Sequence, residues 1–203
     1  MLHSMVFIIL AICWGLFILI WGMGWIYNLV KAPRVEKRSP FGLVSTIGVI
    51  LIILLVRVAH IYSFHFAISI PDWITIIVTI CLIVSTGLTL WARLAIGTMW
   101  SNQPETKVGH ELRTSGPYQI SRHPIYTGMI GMLLASLIVS GLNGLWAIAA
   151  LIGIIIVIVK IPSEERLMLE TFGEQYVEYQ RKVPQLLPGF QWLQRAFVGK
   201  NKL

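Results

Sequence analysis

Five apolar runs dominate the chain: Met5–Val30, Leu43–Phe66, Trp73–Ile96, Ile125–Val139 and Leu145–Ile161. At about 1.5 Å of rise per residue, each of the first three is long enough to cross roughly 30 Å of hydrocarbon as a helix. A chain that is 56% hydrophobic and 12% charged, with positive mean hydropathy, has too little polar surface for a soluble domain. An all-α, multi-pass membrane protein with five transmembrane helices follows. The last two runs are short, about 15 residues or 23 Å, and the Gly- and Asn-rich Ser140-Gly141-Leu142-Asn143-Gly144 between them suits a tight helical hairpin. The first run lacks a basic leader and a small-residue cleavage site, so it is read as a span.

Charge sets the expected orientation. Lys31, Arg34, Lys37 and Arg38 follow the first span, Lys107, Arg113 and Arg122 follow the third, and seven basic residues run from Lys160 to Lys202. The positive-inside rule then places the amino terminus outside and the carboxyl terminus in the cytoplasm. The formal charge of +7 reflects this topology. Its basic residues do not share an amphipathic face with interleaved aromatics, which argues against a nucleic-acid partner. Cys13 and Cys81 both lie in apolar runs, and no His/Cys/carboxylate group has close ligand spacing, so no metal site is expected.

Polarity divides the chain into three plain spans, residues 1–96, and a polar second half, 97–203. The latter comprises a loop, a helical hairpin over 124–161 and a cytoplasmic cap over 162–203. The loop from Trp100 to Tyr118 is long and has almost no periodicity, which favours a functional role. Gly116-Pro117 reads as a turn aiming Tyr118 back at the membrane. Arg122-His123-Pro124-Ile125-Tyr126 then places a helix start at the bilayer lip, with Pro124 at the first helical position and His123 near the N-cap. Unpaired N–H groups at such a start suit an anionic ligand group. Snorkelling of Arg122 and interfacial roles for Tyr118 and Tyr126 would explain each residue singly, but the whole cluster less well.

Gly128, Gly131 and Ala135 form a small-residue stripe, expected to pack the hairpin. Pro162 should end the fifth span, with Ser163 capping a new helix whose first turn holds Glu164 and Glu165 and which ends near Gly173. The hairpin would return Glu164 to the face that carries Arg122 and His123. Phe172, Tyr176, Tyr179 and Val183 recur at helical spacing, as the packed face of a cap. In the second span, Arg57, His60 and His65 either line a pocket or snorkel outward toward Asp72, and the second reading is the simpler.

The ordered set His110–Tyr118, Arg122–Gly128, Glu164-Glu165 and Phe172–Tyr179 with Val183-Pro184 resembles the isoprenylcysteine carboxyl methyltransferase family of integral membrane methyltransferases. The resemblance covers about residues 91–190 and extends to phospholipid and small-thiol methyltransferases. It implies S-adenosylmethionine as cofactor, held under a cytoplasmic cap, and a lipophilic or small-molecule acceptor reached from the membrane lipid. It also implies cofactor contacts at Gln103, His110, Glu111, Leu112, Arg113, Tyr118, His123, Pro124, Ile125, Tyr126, Glu164 and Glu165, with Arg122 and Glu164 as catalytic residues. The prenylcysteine enzymes carry an Arg four residues before the matching Glu. Here Lys160 takes that acceptor-binding position, keeping the charge but not the bidentate geometry. The competing expectations are a sterol-type reductase using NADPH, whose members carry more spans before the shared half, and a non-enzymatic membrane scaffold.

Overall fold

The computed structural model describes residues 2–38, 68–101, 105–109 and 111–186. The second apolar run, with Arg57, His60 and His65, lies outside the described residues, as do Gln103 and His110. The described chain is helical apart from one short ribbon. Its helices are α1 (Leu2–Lys31), α2 (Asp72–Ile96), α3 (Pro124–Val139), α4 (Gly144–Phe172) and α5 (Glu174–Lys182). Three of them, α1, α2 and α4, are apolar enough and long enough to cross a membrane, and α3 is a shorter apolar helix. This is an all-α, multi-pass membrane protein.

Lipid-facing helices cannot associate by the hydrophobic effect, because hydrocarbon is as apolar as their side chains, so close packing must do the work. The α2–α3 contact shows how. A Cβ added at Gly128 would collide with Thr89 Oγ1 and the Ser85 carbonyl, and one at Gly131 would collide with Ser85 Oγ. The small-residue stripe therefore packs against α2, not against its hairpin partner α4. On α2, the hydroxyls of Thr79, Thr86 and Thr89 donate to carbonyls four residues back, at 2.7, 2.8 and 2.8 Å, and so bury no unpaired donor. The core continues through Leu82, Met132 and Ala135 to Leu10 and Cys13 of α1. Trp14 pins α1 to α3 by donating from Nε1 to Ser136 Oγ at 3.0 Å.

The α3–α4 turn is closed by paired bonds, Gly141 N to Ile138 O and Leu142 N to Leu137 O, both 2.9 Å. Gly141 takes the left-handed backbone (φ +71°) that this helix ending requires. Ile68 N donates to Gly141 O, so the chain entering α2 begins beside this turn.

Two further expectations fail. Pro162 does not end a helix: α4 runs unbroken for 29 residues, Gly144–Phe172, with Pro162 inside it. The boundary drawn at 161/162 therefore falls within one element, and Ser163 is no N-cap. A proline removes one helical bond, here the one to the Ile158 carbonyl four residues back, and membrane helices tolerate such a break. Ser163 Oγ donates to a different carbonyl, Lys160 O, at 3.0 Å. The helix ends instead at Gly173 (φ +52°), where the chain turns into α5. The loop after α2 also contains a strand too short to show periodicity. Glu105–Lys107 (β2) pairs antiparallel with Val35–Arg38 (β1), setting Arg38 opposite Glu105.

Gly128→Ala should destabilise the purified protein by about 1–3 kcal/mol, as overpacking against backbone does. Gly15→Ala, with open space around it, should leave the melting temperature in detergent unchanged or raised. Equal melting temperatures for the two variants would show that the stripe is not a packing surface.

Candidate active site

The site is assembled where the amino end of α3 meets the far end of α4. Gly116 (φ +62°) opens a 3₁₀ turn over Gly116–Gln119, which buries Tyr118. Tyr179 of α5 donates to the Tyr118 carbonyl at 2.6 Å and so ties the turn to the cap. The strand-like segment Arg122-His123 then pairs with the chain leaving α5: Arg122 N donates to Pro184 O (2.8 Å) and His123 N to Gln185 O (3.1 Å). Pro124 starts α3 directly after His123, the N-cap, and no side chain caps that end.

Arg122 is used up by these neighbours. Its Nε and Nη2 lie 2.9 and 2.8 Å from Glu165 Oε1, and its Nη1 donates to Gln180 O and Val183 O at 3.2 and 2.7 Å. Glu165 also accepts from Gln180 Nε2 at 3.1 Å and meets His123 Nε2 at 3.2 Å. One carboxylate thus binds α3, α4 and α5 together. Glu164, one residue earlier and about 100° around the helix, takes other partners. Tyr126 Oη donates to its Oε1, Lys160 Nζ stands 3.8 Å away, and His123 Nδ1 lies 3.6 Å from Oε2.

Burial by itself would favour a neutral His123 imidazole. The hydrogen bonds and charges of Glu164 and Glu165 outweigh it and raise the pKa above the ordinary histidine value. Tyr118, Tyr176 and Tyr179 have their pKa values raised, chiefly by burial, and keep neutral hydroxyls.

A cavity of about 530 Å³ opens beside this network. Its polar end is lined by Glu105, Glu111, Arg113, His123, Lys160 and Glu164, with the rings of Tyr118, Tyr126, Tyr176 and Tyr179. Its other end runs between the membrane helices, along Trp14, Trp21, Leu133, Trp146 and Val157. Of the residues expected at a cofactor site, Glu111, Leu112, Arg113, Tyr118, His123, Pro124, Ile125, Tyr126 and Glu164 all line it, as do Arg122 and Lys160. Glu165 is not among the lining residues. Sequence reasoning missed Trp14, Trp21, Trp100 and Trp146. Trp14, Phe17 and Trp21 do recur at helical spacing on α1, and their ring contacts form a ladder, with Trp14–Phe17 centroids 5.6 Å apart and Phe17–Trp21 centroids 4.3 Å apart.

Fold and site together define a multi-pass membrane protein with a cavity that is polar at one end and apolar at the other. Residues 73–175 match the phospholipid methyltransferase family model, and the chain belongs to that family. It is 39% identical over 80 residues to protein-S-isoprenylcysteine O-methyltransferase B of Arabidopsis thaliana, a match covering 39% of this chain and 40% of the plant protein. It is 35% identical over 89 residues to the methanethiol S-methyltransferase of Mycobacterium tuberculosis, covering 44% and 34% of the two chains. Among solved structures it resembles the eukaryotic intramembrane Ras methyltransferase ICMT, with a TM-score of 0.51 and 26% identity over 76% of this chain and 55% of that one. The matches span less than half the length of these two relatives.

The raised pKa of His123 fixes a sign. Its unfolded value is about 6.5, so its charge stabilises the fold fully below that pH, and the contribution is lost as pH rises through the folded value. The melting temperature should therefore fall as pH rises above about 6.5 and through the folded value, with His123→Gln flattening this part of the profile. A wild-type profile that rises there, or a variant profile of the same shape, would contradict the ion-paired imidazole.

Proposed function

We propose that this chain is an S-adenosylmethionine-dependent methyltransferase of the membrane, acting on a lipophilic or membrane-accessible acceptor. The observation that carries the reading is one cavity joining two chemistries. A half-buried carboxylate, Glu164, held by Tyr126 and His123, stands at its polar end beside a helix start without a side-chain cap, and tryptophans of the membrane helices line the rest. Family membership supports the same reading.

The lining residues fit the proposed cofactor. Glu164 and Glu111 suit an amino group or ribose hydroxyls, and Arg113 and the amino end of α3 suit a carboxylate. The faces of Tyr118 and Tyr126 suit a cationic sulfonium. When bound, the cofactor supplies an electrophilic methyl group, so no protein nucleophile is required. The chain's own contribution is alignment and a site poor in water. Tyr126 and His123 fix the carboxylate of Glu164, so little reorganisation accompanies binding. Arg122 and Glu165 act through others, as the brace that sets the amino end of α3 against α4 and α5. Lys160, beside Glu164 and 5.7 Å from the centroid of the Tyr126 ring, stands at the junction of polar and apolar lining, where an acceptor head would lie.

Five crossings complete the proposal, with residues 43–66 as the second, the amino terminus outside, and the site and carboxyl terminus cytoplasmic. Its support is the basic character of the site end. Lys31 closes α1 and Arg181 and Lys182 close α5, with Arg113 and Arg122 between.

Calorimetric titration of the detergent-purified protein should show binding of S-adenosylhomocysteine and none of NADPH. Glu164→Gln removes a charge-assisted contact of about 1.5–3 kcal/mol and should weaken binding roughly ten- to hundredfold. NADPH binding without S-adenosylhomocysteine binding would replace this reading by the reductase one.

A further inference from the structure

Arg93, on the last turn of α2, is the least economical residue of the bundle. Its side chain is buried, with 4% of the residue exposed, yet Nε and Nη2 have no hydrogen-bonding partner among the described residues. Among the described residues only Nη1 is bonded, to Gly97 O at 3.1 Å, and no carboxylate is paired with it. A buried, incompletely paired charge costs stability, and such residues in membrane helices mark function more often than packing.

What Arg93 touches points to its role. The guanidinium lies over the Trp100 ring, 4.4 Å from its centroid. Trp100 is fixed from two further directions: Asn28 Nδ2 donates to its carbonyl at 3.0 Å, and Trp21 meets its ring edge-on at 6.0 Å between centroids. Its ring lines the cavity. It also stands at the root of the loop that brings Ser101, Glu105 and Glu111–Arg113 to the polar end. Gly24 of α1 makes this possible, because a Cβ there would overlap Arg93 Nη2. Arg93 and Asn28 thus hold Trp100 from two helices, one at its ring and the other at its carbonyl, and Gly24 leaves room for the guanidinium.

We propose that Arg93 is a positioning residue: through its stack on Trp100 it fixes the root of the loop that forms the polar end of the cavity. The effect on ligand affinity rests on the methyltransferase reading, whereas the effect on the loop does not. Two variants separate this role from plain packing. Arg93→Met fills the same volume without charge and should leave the melting temperature unchanged or raise it. Gly24→Ala displaces the guanidinium from the α1 side, with Gly22→Ala, in open space, as its control.

Amide hydrogen exchange of the unliganded protein should accelerate at Trp100, Ser101 and Glu111–Arg113 in both Arg93→Met and Gly24→Ala. The expected factor is about five- to thirtyfold, that of a lost desolvated cation–π contact, while the helices keep their protection. Arg93→Lys should recover part of the protection, and Gly22→Ala should behave as wild type. Affinity for S-adenosylhomocysteine should fall in Arg93→Met despite its undiminished melting temperature. Unchanged loop exchange in both variants would overturn the proposal, as would a fall in melting temperature with exchange accelerated throughout the helices. If the wild type binds no S-adenosylhomocysteine, the methyltransferase reading fails, and the exchange measurements still decide the role of Arg93.

Discussion

The pairing of Arg122 with Glu165 is the interaction on which the site depends. The Arg122 and Glu165 side chains are 6% and 13% exposed, and the charges are matched by further hydrogen bonds from Gln180 and to two carbonyls. A buried pair repays its desolvation only under such conditions, and removing one partner costs about 3–5 kcal/mol. Glu165 belongs to α4, Arg122 precedes α3, and Gln180 and Val183 lie at the end of α5. Three elements therefore meet at one carboxylate, and its neighbour Glu164 is free to line the cavity.

That division of labour organises the rest. Adjacent carboxylates on a helix point about 100° apart, so one can serve structure while the other serves a ligand. His123 touches both and links brace to cavity. Tight α2–α3 packing holds the amino end of α3 in place, and Tyr179 fastens the 3₁₀ turn before it. The start of α3 is thus braced from three sides, and the apolar end is built from the membrane helices themselves.

Much of this was legible in the sequence because the signals are local. Pro124 after Arg122-His123 marks a helix start, and the Gly-rich turn at 140–144 marks a reversal. The residues of Glu111–Arg113, Tyr118 and His123–Tyr126 carry enough polarity to stand out against apolar surroundings. Readings that needed knowledge of partners fared worse. A proline usually ends a helix, yet α4 continues for ten residues beyond Pro162, to Phe172. The Gly128 stripe announced close packing but could not say against which helix. Glu164 and Glu165 are indistinguishable by composition, and only the helix phase relative to Arg122 separates them. The α1 tryptophans were invisible for the same reason, since aromatic residues in a membrane helix carry no mark of which cavity they face.

The central claim is that one cavity, bounded by the start of α3 and the end of α4, holds the methyl donor. Photocrosslinking of S-adenosylmethionine labelled in its methyl group to the detergent-purified protein, followed by peptide mapping, tests it most directly. The account predicts label confined to peptides containing Glu111–Tyr126 and Lys160–Tyr179, displaced by excess S-adenosylhomocysteine. Specific label elsewhere in the chain, or none that S-adenosylhomocysteine displaces, would contradict it.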